Sequence, residues 1–271
     1  MQVYRGMDIG TAKPTPAEQA EVPHHLLDVA DPWDDHDLAT YQAAVREVLA
    51  DIEARGRRAL LVGGTALYLR VVVDDLTLPG QFPGVRAELE ADVEVHGVAA
   101  LHARLAELDP DAATRMEPTN HRRVVRALEV TLGSGRPFSS FGPGLDAHPP
   151  TRFRLVGLRW DRSELDQRIA DRYRSQLDAG FLDEVRRLLD GPRPVSRSAA
   201  QALGYKELAA HLAGECTLEE AVDLAVRRTR RFARRQDRWF RRDPRIEWVD
   251  VHGDPMDVVD QVREALERPA D

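Results

Sequence analysis

Two segments rich in proline and glycine divide this chain of 271 residues. They are residues 76–84 and 133–150, and neither can continue a helix or a central strand, because proline lacks the backbone N–H that both need. Between them, residues 85–108 and 121–132 carry apolar side chains at helical spacing. The pattern predicts a helical insertion within a larger core. The predicted domains are residues 1–76 for the first part of the core, 77–145 for the insertion, and 146–271 for the second part with its C-terminal helices.

The core has the pattern of an α/β fold. Residues 59–62 form a short apolar run, predicted to be a buried strand that leads through Gly63, Gly64 and Thr65 into a helix beginning near Ala66. Further strands are predicted at 153–160 and 246–249, and further helices at 38–55, 163–179, 181–189, 204–213, 217–242 and 256–267. Strands that alternate with helices predict a parallel sheet flanked by helices, with ligands at the carboxyl ends of the strands.

Charge is distributed unevenly along the chain. The net charge of −8 argues on average against a nucleic-acid partner, but only two of the 38 basic residues are lysines, and nine arginines lie within residues 227–242. A coding bias explains the general excess of arginine, whereas the cluster predicts a local basic surface. No apolar run is long enough to span a membrane, and the single cysteine, Cys216, excludes an internal disulfide. These features predict a cytoplasmic protein without a membrane partner.

The segment from Gly6 to Pro14 contains two glycines and a lysine, but it does not have the spacing of a phosphate-binding P-loop. No strand precedes it, and Pro14 prevents the expected helix from starting in the usual way. We predict a packed connecting turn for residues 4–10. The adjacent histidines His24 and His25 could suggest a metal site, but neighbouring side chains of an extended segment point in opposite directions, which favours a structural role.

Two groups of arginines could bind phosphate. Arg122, Arg123 and Arg126 share one face of a predicted helix, which suits a nucleic-acid backbone, although a solvated basic face is the alternative. Arg168 and Arg172 lie one helical turn apart. They could hold a diphosphate together or pair with acidic neighbours on their own helix.

Five separated segments together resemble the tRNA dimethylallyltransferases (isopentenyl-tRNA transferases, the IPP transferase family). They are residues 2–14 (QVYRGMDIGTAKP), 60–69 (LLVGGTALYL), 122–130 (RRVVRALEV), 201–207 (QALGYKE) and 234–241 (RRQDRWFR). The resemblance spans the chain as far as Arg242. It implies a sheet like that of P-loop NTPases, without its first strand and P-loop, and it implies that the helical insertion is a swinging tRNA-binding domain.

The resemblance also implies site residues. Arg172 is implied near the reaction centre, where it would stabilise diphosphate charge together with Arg168. The positions implied to contact tRNA are Met1, Gln2, Gly64, Thr65, Arg86, Arg122, Arg123, Arg126, Gln201, Gly204, Tyr205, Lys206, Arg234, Arg235, Gln236, Trp239 and Arg241. The chain departs from the family at Arg238, where a threonine is frequent, and this puts one polar contact in doubt.

The family's reaction transfers a dimethylallyl group from dimethylallyl diphosphate to N6 of adenosine 37, beside the tRNA anticodon. The partners so implied are the tRNA anticodon stem-loop and dimethylallyl diphosphate, and the implied state is a monomer. Mg²⁺ is implied as a cofactor, with ligands mostly outside this chain. The extruded base must be aligned with the allylic carbon, lose a proton and face a neutralised diphosphate.

The family's P-loop and its Asp-Ser pair, whose Asp is the proposed general base, would fall before Met1. We expect that the natural protein starts upstream of Met1 and that residues 1–271 alone are inactive and poorly soluble. One alternative is an inactive tRNA-binding fragment. Another is an adenylate isopentenyltransferase, against which the basic helix and the insertion count, because a free nucleotide does not need that surface.

Overall fold

The computed structural model describes residues 1–268, which form two compact units. The first unit joins residues 1–73 to the chain from residue 151 onward, and the second is Asp74–Pro150. The predicted insertion, residues 77–145, lies within the second unit. The last three residues of the predicted range 146–271 lie outside the described residues.

The second unit is entirely helical. Its elements are α4 (Pro83–Leu108), α5 (Pro110–Thr114), α6 (His121–Ser134) and a 3₁₀ turn (Phe138–Phe141). Asn120 begins α6 by accepting the backbone N–H of Arg123 at 3.3 Å, and Gly135 ends it in the left-handed conformation, with φ 70°. The helices bury an apolar core of Leu89, Leu101, Leu105, Val124, Val125 and Leu128.

The first unit contains the sheet and most of the helices. Its elements before the second unit are α1 (Pro16–Glu21), α2 (Leu38–Ala54) and α3 (Ala66–Val73). Its elements after the second unit are β1 (Leu155–Trp160), α7 (Arg162–Asp178), α8 (Phe181–Leu189), α9 (Arg197–Ala200), α10 (Tyr205–Leu212), α11 (Leu218–Phe240), β2 (Ile246–Val251), a 3₁₀ turn (Pro255–Val258) and α12 (Val259–Glu267). Within the described part of the chain, no helix is long and apolar enough to cross a membrane.

The sheet consists of two parallel strands. β1 pairs with β2 from Leu155 opposite Ile246 to Trp160 opposite Val251. The pair is supported on one side by a bidentate contact of Arg159 with Asp250, with an Nη2–Oδ2 distance of 2.7 Å. The strands predicted at 153–160 and 246–249 are therefore present, and the α/β class with a parallel sheet is confirmed.

The strand predicted at residues 59–62 is wrong. The segment has no regular secondary structure, and Leu60 and Val62 are 69% and 85% exposed. A strand needs a neighbouring strand to pair its N–H and C=O groups, and none of the described residues pairs with this segment. The apolar run is exposed and irregular, and it leads through residues 63–65 into α3.

The core of the first unit lies among α7, α8, α10 and α11. Phe181 and Leu208 are completely buried there, and Tyr173 donates or accepts a buried hydrogen bond with Thr229 of α11 at 2.9 Å. Thr217 caps α11 by accepting the N–H of Glu220, whose carboxylate in turn accepts the N–H of Thr217. α11 is therefore fixed at its start and along its inner face, and its other face is turned outward.

Candidate nucleic-acid interface

The turn formed by residues 8–10 is held by one buried carboxylate. Glu184 of α8 is 2% exposed. Its Oε2 accepts the backbone N–H groups of Asp8 and Ile9 at 3.0 and 2.8 Å, and its Oε1 accepts that of Gly10 at 3.1 Å. Three consecutive amides that converge on one carboxylate fix the backbone of the turn.

A second set of contacts involves the residues on either side of this turn. Gln2 donates from Nε2 to the carbonyls of Thr11 and Ala12 at 3.1 and 2.9 Å. The Lys13 ammonium, almost fully buried, contacts the carbonyl of Tyr4 at 2.9 Å and the carboxylate of Asp28 at 2.6 Å. The predicted packed turn at residues 4–10 is present: Tyr4 and Met7 are buried, whereas Arg5 and Asp8 are exposed.

The 201–207 segment meets this turn at Glu184. Tyr205 is 5% exposed and donates from its hydroxyl to Glu184 Oε1 at 2.6 Å. Burial, and next the hydrogen bond to Glu184, raise the pKa of Tyr205, so the phenol remains a neutral donor. Tyr205, which the resemblance assigns to tRNA, therefore lies in the core, while Gln201 and Lys206 are exposed and bond to each other at 3.3 Å.

Two glycines of these segments lie against the same aromatic ring. A Cβ added at Gly10 would collide with the ring of Phe181, and one added at Gly204 would come within 2.8 Å of Phe181 Cε1. Gly204 also has φ +88°, a conformation that glycine adopts without strain. Its N–H donates to Glu207 Oε2 at 2.8 Å, and Glu207 also accepts from Arg228 of α11. The segment is thus tied to both α8 and α11.

Gln236 of α11 connects two other predicted segments. Its Nε2 donates to the carbonyl of Gly64, immediately before α3. A Cβ at position 64 would come within 2.4 Å of that same Nε2, so a side chain there would displace the Gln236 amide from its present position. Thr65 is exposed beside it. Residues 172 positions apart in sequence therefore lie together at the start of α3.

Trp239 also lies within this unit, half-buried, on the same helix as Gln236. Its ring faces the guanidinium of Arg70 in α3, with Cζ 5.6 Å from the ring centroid. Phe240 packs against it edge-on. These contacts place Trp239 in a packing role between α11 and α3, although part of its ring remains accessible.

The arginines of α11 divide into two groups. Arg228 and Arg230 turn inward, where they contact Glu207 and Asp166. The outer group is exposed, and its members recur at i, i+3 or i+4 along one face; they are Arg227, Arg231, Arg234, Arg235, Arg238 and Arg241. We call these six residues the α11 basic face.

Ion pairs neutralise only part of the α11 basic face. Arg241 pairs with Asp237 at 2.8 Å, and Arg227 lies 3.9 Å from Asp223. Arg231, Arg234 and Arg238 form no ion pair with any described residue. The cluster predicted from the sequence is therefore an exposed cationic surface with free donors.

The arginines of the insertion are arranged differently. Glu129 of α6 is 1% exposed and accepts from Arg86 at 2.9 Å, from Arg126 at 2.8 Å and from the N–H of Phe82 at 2.8 Å. Arg126 also donates to the carbonyl of Pro79 at 2.9 Å. Arg86 and Arg126 thus have acidic partners inside their own unit. The other two predicted arginines, Arg122 and Arg123, are exposed.

The arginine pair on α7 does not act as one clamp in this structure. Arg168 lies over the ring of Trp160, with Cζ 4.1 Å from the centroid, and contacts the carbonyl of Gly253. Arg172 is exposed, and no described residue forms an ion pair or hydrogen bond with its guanidinium. Arg172 is therefore available to an anion, whereas Arg168 is stacked. Met1, the remaining predicted position, has a half-exposed side chain.

No metal site is apparent in the part of the chain that the structure describes, where no three His, Cys, Asp or Glu side chains are grouped to hold an ion. His24 contacts the carbonyl of Val22 at 2.7 Å, and Asp28 pairs with Lys13. The residues present therefore do not make up a magnesium site.

Glu184 and Glu129 are the two organising residues that the sequence analysis missed. Both occupy the buried faces of their helices, among apolar residues at helical spacing. A charged residue on an apolar helical face was the available signal, since such a group is buried only with partners. Their partners, however, lie far away in sequence.

Comparisons with known proteins agree with this arrangement. A family model described as IPP transferase matches residues 2–243. The chain is 50% identical to a tRNA dimethylallyltransferase of Streptomyces coelicolor, over 99% of this chain and 86% of that protein. It is 40% identical to the solved structure of a tRNA isopentenylpyrophosphate transferase from Bacillus halodurans, with a TM-score of 0.67, covering 98% of this chain and 86% of the other.

A third similarity concerns the fold alone. The chain matches the structure of a eukaryotic dimethylallyltransferase acting on tRNA with a TM-score of 0.77 at 24% identity, covering 98% of this chain and 69% of the other. The architecture is thus shared with proteins of much lower sequence similarity.

Proposed function

The chain belongs to the IPP transferase family and is a tRNA-modifying prenyltransferase, and on this premise we propose that it transfers a dimethylallyl group from dimethylallyl diphosphate to N6 of adenosine 37. The acceptor would be an anticodon stem-loop, bound through its phosphates by the α11 basic face and through the target base near Gly64 and Thr65.

One observation carries the proposal, the hydrogen bond from Gln236 to the carbonyl of Gly64. It joins the helix with the basic face to the glycine turn that begins α3. Nearby, two glycines leave the backbone open to a flat base, and the N-terminus of α3 favours negative charge. A surface that binds phosphates beside an open backbone turn suits a nucleotide turned out of its stack.

The acceptor amine is a weak nucleophile, so the leaving diphosphate must be neutralised. Arg172 is the described residue that we assign to this task, because its guanidinium is exposed and has no partner among the described residues. Magnesium, which the resemblance implies, remains a proposal. The residues described here do not form a site for it, and no step in this account depends on it.

The activity is tested in cells that carry the gene. Deleting the gene is expected to remove N6-dimethylallyladenosine from digests of total tRNA analysed by mass spectrometry. Re-expressing the gene should restore it, and re-expressing a variant with Arg231, Arg234 and Arg238 changed to Gln should restore little. An unchanged nucleoside profile after deletion would refute the proposed reaction.

Binding is tested with the purified 271-residue chain and a fluorescent anticodon stem-loop. The slope of log Kd against log salt should fall by about two in the triple Arg→Gln variant, since each lost phosphate contact removes about 0.7–0.9 from it. A matched control replaces three exposed arginines of other elements, Arg186, Arg187 and Arg197, and should leave the slope near that of the wild type. Displacement of the RNA by excess AMP would favour an adenylate acceptor instead.

Further properties belong to the same proposal. A cytoplasmic location is supported by the single free cysteine, and a monomeric state can be checked by sedimentation. The expectation that residues 1–271 alone transfer no group stays a prediction, to be checked by incubating the purified chain with stem-loop RNA, dimethylallyl diphosphate and magnesium.

A further inference from the structure

Glu184 is a buried carboxylate whose hydrogen bonds all come from neutral donors. Its two oxygens accept three backbone N–H groups, from Asp8, Ile9 and Gly10, and the Tyr205 hydroxyl, all within 3.1 Å. Only a carboxylate can accept at both terminal atoms at once, because an amide of the same shape places an N–H₂ group at one of them. The site therefore requires Glu specifically.

The turn that Glu184 holds is followed directly by Thr11 and Ala12, whose backbone carbonyls are hydrogen-bond acceptors. Both accept from Nε2 of Gln2, at 3.1 and 2.9 Å. Because an amide nitrogen has two hydrogens, these contacts use its whole donor capacity. Gln2 Oε1 is left over, and no described residue donates to it. Gln2 as a whole residue is only partly buried.

We propose that Glu184 is a positioning residue that fixes the amide of Gln2 with its oxygen outward, so that this position accepts an N–H from the target base. The inference rests on the proposed function, which brings a tRNA base to this segment. It adds a rule of recognition: the site favours a base with an exocyclic amine, because Gln2 offers an acceptor and no donor.

The alternative role for Glu184 is stability alone. In that case, replacing it would weaken folding and all RNA binding together, without changing which base is preferred. The two roles can be distinguished by the ratio of the affinities for two RNAs that differ at one base. A loss of stability weakens the binding of both RNAs equally and therefore cancels in the ratio.

The test uses the 271-residue chain and two stem-loop RNAs, with adenosine or with purine riboside at position 37. Purine riboside lacks only the exocyclic amine. The wild-type chain should bind the adenosine RNA about five- to tenfold more tightly, the size of one hydrogen bond. Glu184→Gln should reduce this ratio to near one. Asp183→Asn, the same chemical change at an exposed position of the same helix, should keep it.

Each outcome decides the inference. A Glu184→Gln variant that keeps the wild-type ratio would overturn the inference. A wild-type chain that binds both RNAs equally well would also overturn it, although RNA binding itself would then still be supported. Failure of the wild-type chain to bind either RNA would instead overturn the proposed function. If Glu184→Gln does not fold, Glu184→Asp serves in its place: it keeps both acceptors on a side chain one methylene shorter, and its ratio should fall between one and the wild-type value.

Discussion

Each of the two units contains a buried glutamate that organises its surroundings, and the two glutamates are satisfied in different ways. Glu184 in the first unit is held by backbone amides and a tyrosine hydroxyl. Glu129 in the second unit is held by two arginines and one amide. Of the donors to Glu184, the Tyr205 hydroxyl is buried and the three amides belong to the main chain, whereas the side chains of Arg86 and Arg126 are 42% and 27% exposed and can turn to water.

The difference shows what each carboxylate does for its surroundings. Glu184 determines the path of a backbone turn, because its donors belong to the main chain. Glu129 holds the guanidinium groups of two partly exposed arginines that the resemblance assigns to tRNA, and it thereby neutralises part of their charge. A buried acid can thus organise a turn in one place and limit a basic surface in another.

The largest effect is expected from Glu184→Ala. It leaves three N–H groups and the Tyr205 hydroxyl without their acceptor in a closed environment, which should lower the free energy of opening by about 3 kcal/mol. Hydrogen exchange in peptides covering residues 1–13 and 181–208 measures it. The control Asp183→Ala, at an exposed neighbour, should change it by less than about 0.5 kcal/mol.

Glu129→Ala should have a smaller effect, about 2 kcal/mol, because both arginines can recover water. The change should appear in peptides covering residues 79–134 and leave those around the 8–10 turn unaffected. Glu88→Ala on the exposed side of α4 is the matched control. A greater loss for Glu129→Ala than for Glu184→Ala would break the comparison.

Alkaline pH should destabilise the first unit only. Burial and the bond to Glu184 raise the pKa of Tyr205 in the folded chain, while the unfolded chain loses this proton near pH 10. The contribution of the neutral Tyr205 hydroxyl to the free energy of unfolding is therefore complete below pH 10. It declines above pH 10, by at most about 1.4 kcal/mol per pH unit. Tyr205→Phe should reduce the decline of the first unit, and the remainder comes from Tyr41, Tyr68 and Tyr173, whose pKa values burial also raises. Residues 74–150 contain no tyrosine, so an equal decline there would contradict the assignment.

The smallest effects separate two arginines of α6. Arg122→Gln should weaken stem-loop binding and reduce the salt slope by about 0.7–0.9, with stability unchanged, because the side chain is exposed. Arg126→Gln should instead cost about 1 kcal/mol of stability in the second unit through its lost contact with Glu129. A larger change of salt slope for Arg126→Gln than for Arg122→Gln would show that Arg126 leaves Glu129 to bind RNA.

The sequence predicted what depends on local pattern. Helical spacing and the strands at β1 and β2 are visible within a few positions, and the five segments identify the family. The predicted strand at 59–62 failed because an apolar run does not reveal whether a partner strand exists beside it. Hydrophobic periodicity describes the side chains of a single segment, whereas strand pairing depends on a second segment elsewhere in the chain.

The residue types of the candidate site could be predicted from the sequence, but the contacts between these residues could not. The basic character of α11 follows from counting arginines, yet which of them turn inward depends on the Glu207 carboxylate and the backbone carbonyl of Asp166, which belong to other elements. Glu184 lies 174 to 176 positions from the amides it accepts. Local sequence patterns do not reveal contacts between residues so far apart in the chain, because these contacts depend on how the helices pack.

The ring of Phe181 has a consequence for how this chain can change over evolution. Two glycines, Gly10 and Gly204, approach it so closely that neither position has room for a methyl group. The ring thickness therefore sets the spacing between two backbone segments that are 194 positions apart. A larger residue at Gly10 would meet the rings of both Phe181 and Tyr205, and at Gly204 the positive φ would strain any side chain even if Phe181 became smaller. We therefore expect both positions to remain glycine for as long as this packing is kept.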